Sequence, residues 1–153
     1  MAQRTIESLD ALKNLVGQEV AVTERIQVTQ EKIHRFAETT GDEQWIHVNP
    51  ERAARKSPYR TTIAHGFLTL SLLSAMMQSA VKIRGVRFVI NYGLDRVRFP
   101  AAVPSGSGIR ARIELDSVSD VPGGVQAKWV ITVEREGSEK PVCVAEWLVR
   151  YLE

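Results

Sequence analysis

The sequence predicts an α+β fold in which a curved antiparallel sheet wraps one long apolar helix, and two patterns carry that prediction. The stretch from Thr61 to Val81 contains no Asp, Glu, Lys or Arg. A helix that is apolar on nearly all sides has to be covered on nearly all sides. Beyond it, three successive runs alternate apolar and polar residues, the period-two pattern of strands with one buried face. A sheet face and an apolar helix must each bury their surface, and here each can cover the other.

Taken in order, Ile6, Leu9, Leu12 and Leu15 recur at near-helical spacing and predict a short leading helix that ends at Gly17. Glu19 to Val28 reads as a strand. Thr29 is a suitable N-cap for a helix over Gln30 to Thr40, with Ile33, Phe36 and Ala37 on its apolar face and Gly41 placed to end it. Asp42 to about Arg60 reads as a loop with a helical turn after Pro50. The apolar helix should run from Gly66 to about Ala80. Val86 to Phe99 is strand-like, with a bend or bulge implied by Asn91, Gly93 and Asp95.

The inward sets of the remaining strands are Ile109, Ala111, Ile113 and Leu115; Val125, Ala127, Trp129, Ile131 and Val133; and Cys143, Ala145, Trp147, Val149 and Tyr151. Pro122-Gly123-Gly124 and Glu136-Gly137 mark tight turns, so these strands should pair antiparallel. No repeat, low-complexity tract or linker interrupts the chain, and residues 1–153 read as a single domain. This architecture is the hot-dog fold. Exposed sheet edges favour pairing, so a homodimer is expected.

Composition narrows the function classes. Hydrophobic residues make up 44% of the 153 and charged ones 25%, as in ordinary globular proteins. A net charge of +2 provides no basic field for nucleic acid. The single cysteine, Cys143, excludes an intrachain disulfide and a Cys-rich zinc site; it reads as a small buried hydrophobe in a protein of the reducing cytoplasm. The first twenty residues have scattered charges and no apolar core of a signal peptide. The Thr61 to Val81 stretch is long enough to span a bilayer, but it includes His65, Gln78, three serines and three threonines, and reads as a buried helix of a non-membrane protein.

Two clusters could carry chemistry. In Thr39 to Pro50, Asp42 and His47 flank an apolar Trp45-Ile46 pair just after a helix end. A carboxylate and an imidazole in one pocket suit the addition of water across a polarised double bond, one group taking water's proton and one supplying a proton to carbon. On spacing alone, the plainer reading is a loop whose Asp caps backbone amides and whose His lies at the surface. In Thr61 to Leu68, Gly66 opens the apolar helix, where unpaired N–H groups favour developing negative charge; it could equally serve tight helix–sheet packing. His65 reads as a capping or packing residue or a second base. No HExxH-type spacing supports a metal at His47 and His65.

Together these clusters resemble the MaoC-like dehydratase family, which includes (R)-specific enoyl-CoA hydratases and a nodulation-protein-N-like branch. The resemblance extends from about Val20 to Tyr151 and is densest at Phe36 to Pro50, Ile63 to Ser74 and Tyr92 to Pro100. The usual hydratase motif Gly-Asp-x-Asn-Pro-x-His stands here as Gly41-Asp42-Glu43-Gln44-Trp45-Ile46-His47. Asp and His keep their places, while Gln44 and Trp45 replace Asn-Pro as in the nodulation-protein-N-like branch and bear on substrate preference. The resemblance implies that Asp42 and His47 activate one water, that Gly66 N–H is the oxyanion donor, and that Ser74 helps to position the carboxylate. It implies reversible syn hydration of trans-2-enoyl-CoA to an (R)-3-hydroxyacyl-CoA, with coenzyme A as part of the substrate and no metal or other cofactor.

Tyr92, Arg96, Arg98 and Lys82 are candidates for contacts to the carrier, with a solvated sheet edge as the plainer reading. A hot-dog thioesterase and a non-catalytic acyl-thioester-binding module are the alternatives.

Overall fold

A computed structural model describes residues 2–153. In chain order the elements are β1 (Arg4–Ile6), α1 (Leu9–Lys13), β2 (Glu19–Val22), β3 (Ile26–Val28), α2 (Gln30–Thr40), α3 (Trp45–Val48), α4 (Pro50–Lys56), α5 (Gly66–Ser71), α6 (Leu73–Ala80), β4 (Val81–Ile83), β5 (Phe88–Arg98), β6 (Ser107–Val121), β7 (Gly124–Arg135) and β8 (Cys143–Leu152). The main sheet runs β2-β6-β7-β8-β5, with β3 also pairing to β6, and every pairing in it is antiparallel.

The alternation expected of the last three strands holds residue by residue. All fourteen side chains named above as inward-facing are buried, and they form one core with Leu68, Leu73, Met76 and Met77 of α5 and α6. Trp129 is fully buried and donates from Nε1 to the Tyr151 hydroxyl at 3.0 Å. Hiding an aromatic side chain of this kind contributes about 4–6 kcal/mol at roughly 25 cal/mol per Å2. The Pro122-Gly123 turn joins Val121 to its partner Gly124; Pro presets its own φ, and Gly123 adopts φ 83°, which only glycine takes readily. The bend expected in β5 appears as register shifts at Asn91/Gly93 and Leu94/Arg96.

Several elements differ from expectation. The leading helix is only Leu9–Lys13, because Ser8 caps it by accepting from Ala11 N–H at 3.0 Å. Ile6 lies instead in β1, which pairs in parallel with β4, a strand the sequence did not announce. The expected strand from Glu19 to Val28 is divided into β2 and β3. At the break, Thr23 replaces a ladder partner: its N–H donates to Ala111 O and its hydroxyl accepts from Ala111 N–H, both at 2.9 Å.

The apolar helix is not one rod either. It is interrupted at Leu72, whose N–H is shared among the carbonyls of Leu68, Thr69 and Leu70. Such tightening of a last turn needs no Pro or Gly to mark it. Part of the expected loop after Asp42 is α3, while α4 starts at Pro50 as anticipated, capped by Asn49 accepting from Arg52 N–H at 3.0 Å. None of the described helices is long and apolar enough to cross a membrane.

Candidate active site

The end of α2 sets the first catalytic candidate. Gly41 takes the left-handed conformation at φ 82° and returns its N–H to Ala37 O at 2.8 Å, stopping the helix so that Asp42 begins the next segment in the open. Asp42 is exposed, and its carboxylate receives the Gln44 N–H at 3.5 Å. His47 follows on α3 and is 6% exposed. Its Nδ1–H donates to Ile63 O at 2.7 Å, which leaves the Nε2 lone pair available. Gln30 of α2 supports this helix by donating to His47 O at 2.8 Å, and the Thr62 hydroxyl donates to Gln30 Oε1.

The segment before α5 is strapped between two parts of the chain. Ile63 N–H donates to Ile46 O at 3.0 Å, Ala64 N–H to Val103 O at 2.8 Å, and Ser105 N–H to Thr62 O at 2.9 Å. This delivers His65 against His47: the two imidazoles stack at 3.8 Å between centroids and 23° between planes. His65 also packs on the Phe36 ring at 4.9 Å and donates from Nε2 to Asp42 O at 2.9 Å. Gly66 then opens α5 beside them. A Cβ on Gly66 would lie 3.0 Å from the Phe99 ring. Asp42, His47, His65 and Gly66 thus share one open cleft with Phe36, Thr40, Phe67 and Phe99.

Burial pushes the His47 imidazole below its usual pKa. The bond to Ile63 O opposes that shift, the neighbouring His65 adds to it, and Asp42 acts weakly upward. His47 is therefore held as a neutral ring able to accept a proton. Donor atoms of Asp42, His47 and His65 lie within 4.8 Å of one another. To share a metal ion, the imidazole lone pairs would have to converge on it at about 2.0–2.1 Å. The stacked rings lie 23° apart in plane.

A MaoC like domain model matches residues 11–135 of the chain. The chain is 51% identical to 3-hydroxyacyl-thioester dehydratase Z of Mycobacterium tuberculosis over 150 residues, covering 97% of this chain and 99% of that protein. The chain belongs to the MaoC-like dehydratase family. It is also 46% identical to Nodulation protein N of Rhizobium leguminosarum bv. viciae over 143 residues, 92% of this chain and 89% of that one. Among solved structures, the R-hydratase PhaJ1 of Pseudomonas aeruginosa superposes with a TM-score of 0.72 at 23% identity, over 90% of this chain and 82% of that one. That likeness shows the hot-dog fold. With dehydratases among its relatives, this MaoC-like chain is a lyase by reaction class.

Not every residue singled out in the sequence reaches the cleft of this MaoC-like domain. Ser74 lies on α6 and lines a separate cavity with Met77, Gln78, Asn91 and Trp147. Gln44 caps α3 through its backbone, its carbonyl accepting from His47 N–H at 2.9 Å. Trp45 lies under the Arg52 guanidinium, 4.4 Å from its centroid. Tyr92, Arg96 and Arg98 are exposed along β5, Tyr92 beneath the Arg150 guanidinium at 3.8 Å and Arg98 donating to Val97 O at 2.7 Å; Lys82 is exposed on β4. His65 stands at the N-cap position of α5 and caps it through its carbonyl, without a side-chain cap bond. The supports contributed by Gln30 and Thr62 had no sequence signal, and Phe36 was legible only as part of the apolar face of α2, since each acts across elements whose packing no local pattern encodes.

Proposed function

We propose that the chain catalyses the reversible syn hydration of trans-2-enoyl-CoA to (R)-3-hydroxyacyl-CoA, with coenzyme A entering only as part of the substrate and no metal or redox cofactor. The observation that carries this reading is the pairing of a neutral, Nδ1-anchored His47 with the exposed Asp42 carboxylate beside the start of α5. In the hydration direction, one water is held by His47 Nε2 and the Asp42 carboxylate. As its oxygen bonds to C3, His47 accepts its proton and the π electrons move to the thioester oxygen, which accepts from Gly66 N–H. When that enolate collapses, C2 takes a proton from the same side, which makes the addition syn and leaves His47 neutral again.

Support for the thioester comes also from the dehydratase relatives, whose names specify 3-hydroxyacyl-thioester and 3-hydroxybutyryl-CoA substrates. A homodimer belongs to the same reading. β5 pairs with β8 on one side only, and Phe88, Val89, Ile90, Tyr92 and Leu94 along it are exposed and largely apolar, a row suited to edge-to-edge pairing of two copies.

The test is loss of the enoyl-thioester absorbance of crotonyl-CoA, with product chirality determined. Asp42→Asn and His47→Ala should fold as the parent does and lose at least about 100-fold in kcat. Free thiol released at the rate of substrate loss would make the protein a thioesterase. Tight acyl-CoA binding without turnover across a chain-length series would make it a binding module.

A further inference from the structure

His65 is the one buried ionisable side chain of the cleft that the reaction above leaves without a task. It is 3% exposed, and it touches every part of the proposed machinery. One ring nitrogen donates to the backbone of Asp42, one face lies on His47, the Phe36 ring packs on it at a tilt, and the next residue in the chain is Gly66. Its carbonyl meanwhile accepts from Leu68 and Thr69 N–H, so the residue is fixed to the first turn of α5. Its Nδ1 is buried with no hydrogen-bond partner among the described residues. A proton there would face no acceptor, whereas Nε2 faces the Asp42 carbonyl, and this sets the tautomer.

Building on the hydratase reading, we propose that His65 is a positioning residue. Its ring is the physical link that fixes Asp42, His47 and the Gly66 amide relative to one another, so that one water and one thioester oxygen can be held at once. The link is geometric. Asp42 follows a glycine and is exposed, so its segment has few anchors of its own, and the bond from His65 crosses 23 residues of sequence to supply one. The stack does the same for one face of the His47 ring, whose Nδ1 edge is bound to Ile63 O. Two ionisable side chains, Asp42 and His47, face His65 here; Phe36 of α2 and Gly66 of α5 present no charge. Because the neighbouring His65 also contributes to holding the His47 pKa down, its removal should move the His47 titration upward.

The experiment compares His65→Gln, which retains an N–H donor for Asp42 O, with His65→Leu, which retains bulk alone. Misplacement of a reacting group by about 1 Å can cost on the order of 100-fold in rate. His65→Leu should therefore lose about that factor in kcat toward crotonyl-CoA with KM little changed, and His65→Gln should recover about 10-fold of it. The acid limb of kcat/KM should move to higher pH in both variants. Independently of turnover, the chain's three histidines allow the His47 ring to be titrated by NMR, and its midpoint should rise in His65→Gln.

Equal kcat in the parent and both variants would overturn the proposal, as would an unmoved His47 titration in His65→Gln. If the parent itself does not turn over any enoyl-CoA, the hydratase reading fails, and the NMR titration still decides whether His65 controls His47. Should His65→Leu not fold, His65→Gln alone carries both readouts.

Discussion

Replacing Gly66 with alanine tests the proposed oxyanion site with a magnitude that follows from the geometry. The new Cβ would lie 3.0–3.1 Å from three atoms of the Phe99 ring, against an ordinary carbon–carbon contact of about 3.5–4.0 Å. The ring therefore has to retreat by roughly 0.5–1 Å. Phe99 is 39% exposed and follows the end of β5, so it can turn outward. Overpacking costs about 1–3 kcal/mol in a closed core. Here the open side places the cost at the low end, and the gain of about 0.5–1 kcal/mol from replacing a helical glycine offsets much of it.

Stability should therefore change by no more than about 1 kcal/mol, a Tm shift of about 2–4 °C for a chain of this size. Catalysis should respond far more strongly. A methyl group beside the Gly66 N–H keeps the thioester oxygen away from it, and loss of one oxyanion donor costs about 100- to 1,000-fold in kcat. The assay is crotonyl-CoA hydration alongside a thermal melt. Near-parental kcat in a folded Gly66→Ala protein would refute the assignment. Recovery of activity in Gly66→Ala/Phe99→Ala would instead show that ring displacement, and not a blocked amide, caused the loss.

The remaining expectations concern pH and assembly. His47 has its pKa lowered in the fold, so the unfolded chain binds more protons at mildly acidic pH; stability should fall as pH drops below about 6.5, the ordinary histidine value. His47→Gln should flatten that part of a Tm-versus-pH curve, and an identical slope in the variant would count against the burial argument. On assembly, Leu94→Arg places a charge on the open apolar edge of β5 and should make the proposed dimer elute as a monomer in gel filtration; a dimeric parent whose variant elutes unchanged would move the interface elsewhere.

What the sequence determined by itself was whatever depends on periodicity and local backbone chemistry. The inward faces of β6, β7 and β8 were readable because side chains alternate along a strand whatever it packs against. The limits of α2 were readable because Thr29 and Gly41 act on the backbone within a turn of themselves. Asp42, His47 and Gly66 could be named as candidates, but local sequence left loop capping and helix packing open for them, and it was the resemblance to a known family that singled them out.

Only the tertiary structure decided the rest. Thr23 divides a strand where Ala111, 88 residues away, exchanges two hydrogen bonds with its backbone and hydroxyl. Ile6 leaves the leading helix because β4 offers it a partner strand. Ser74, two turns beyond Gly66, turns toward another cavity because α5 and α6 are separated at Leu72 and pack on different parts of the sheet. His65 becomes the link between Asp42 and His47 only once backbone bonds hold Thr62 to Ala64 between α3, through Ile46, and the segment of Val103 and Ser105. A local pattern records what a residue does to its own backbone; contacts between residues distant in sequence are set by how apolar faces close on one another, and no local pattern specifies that closure.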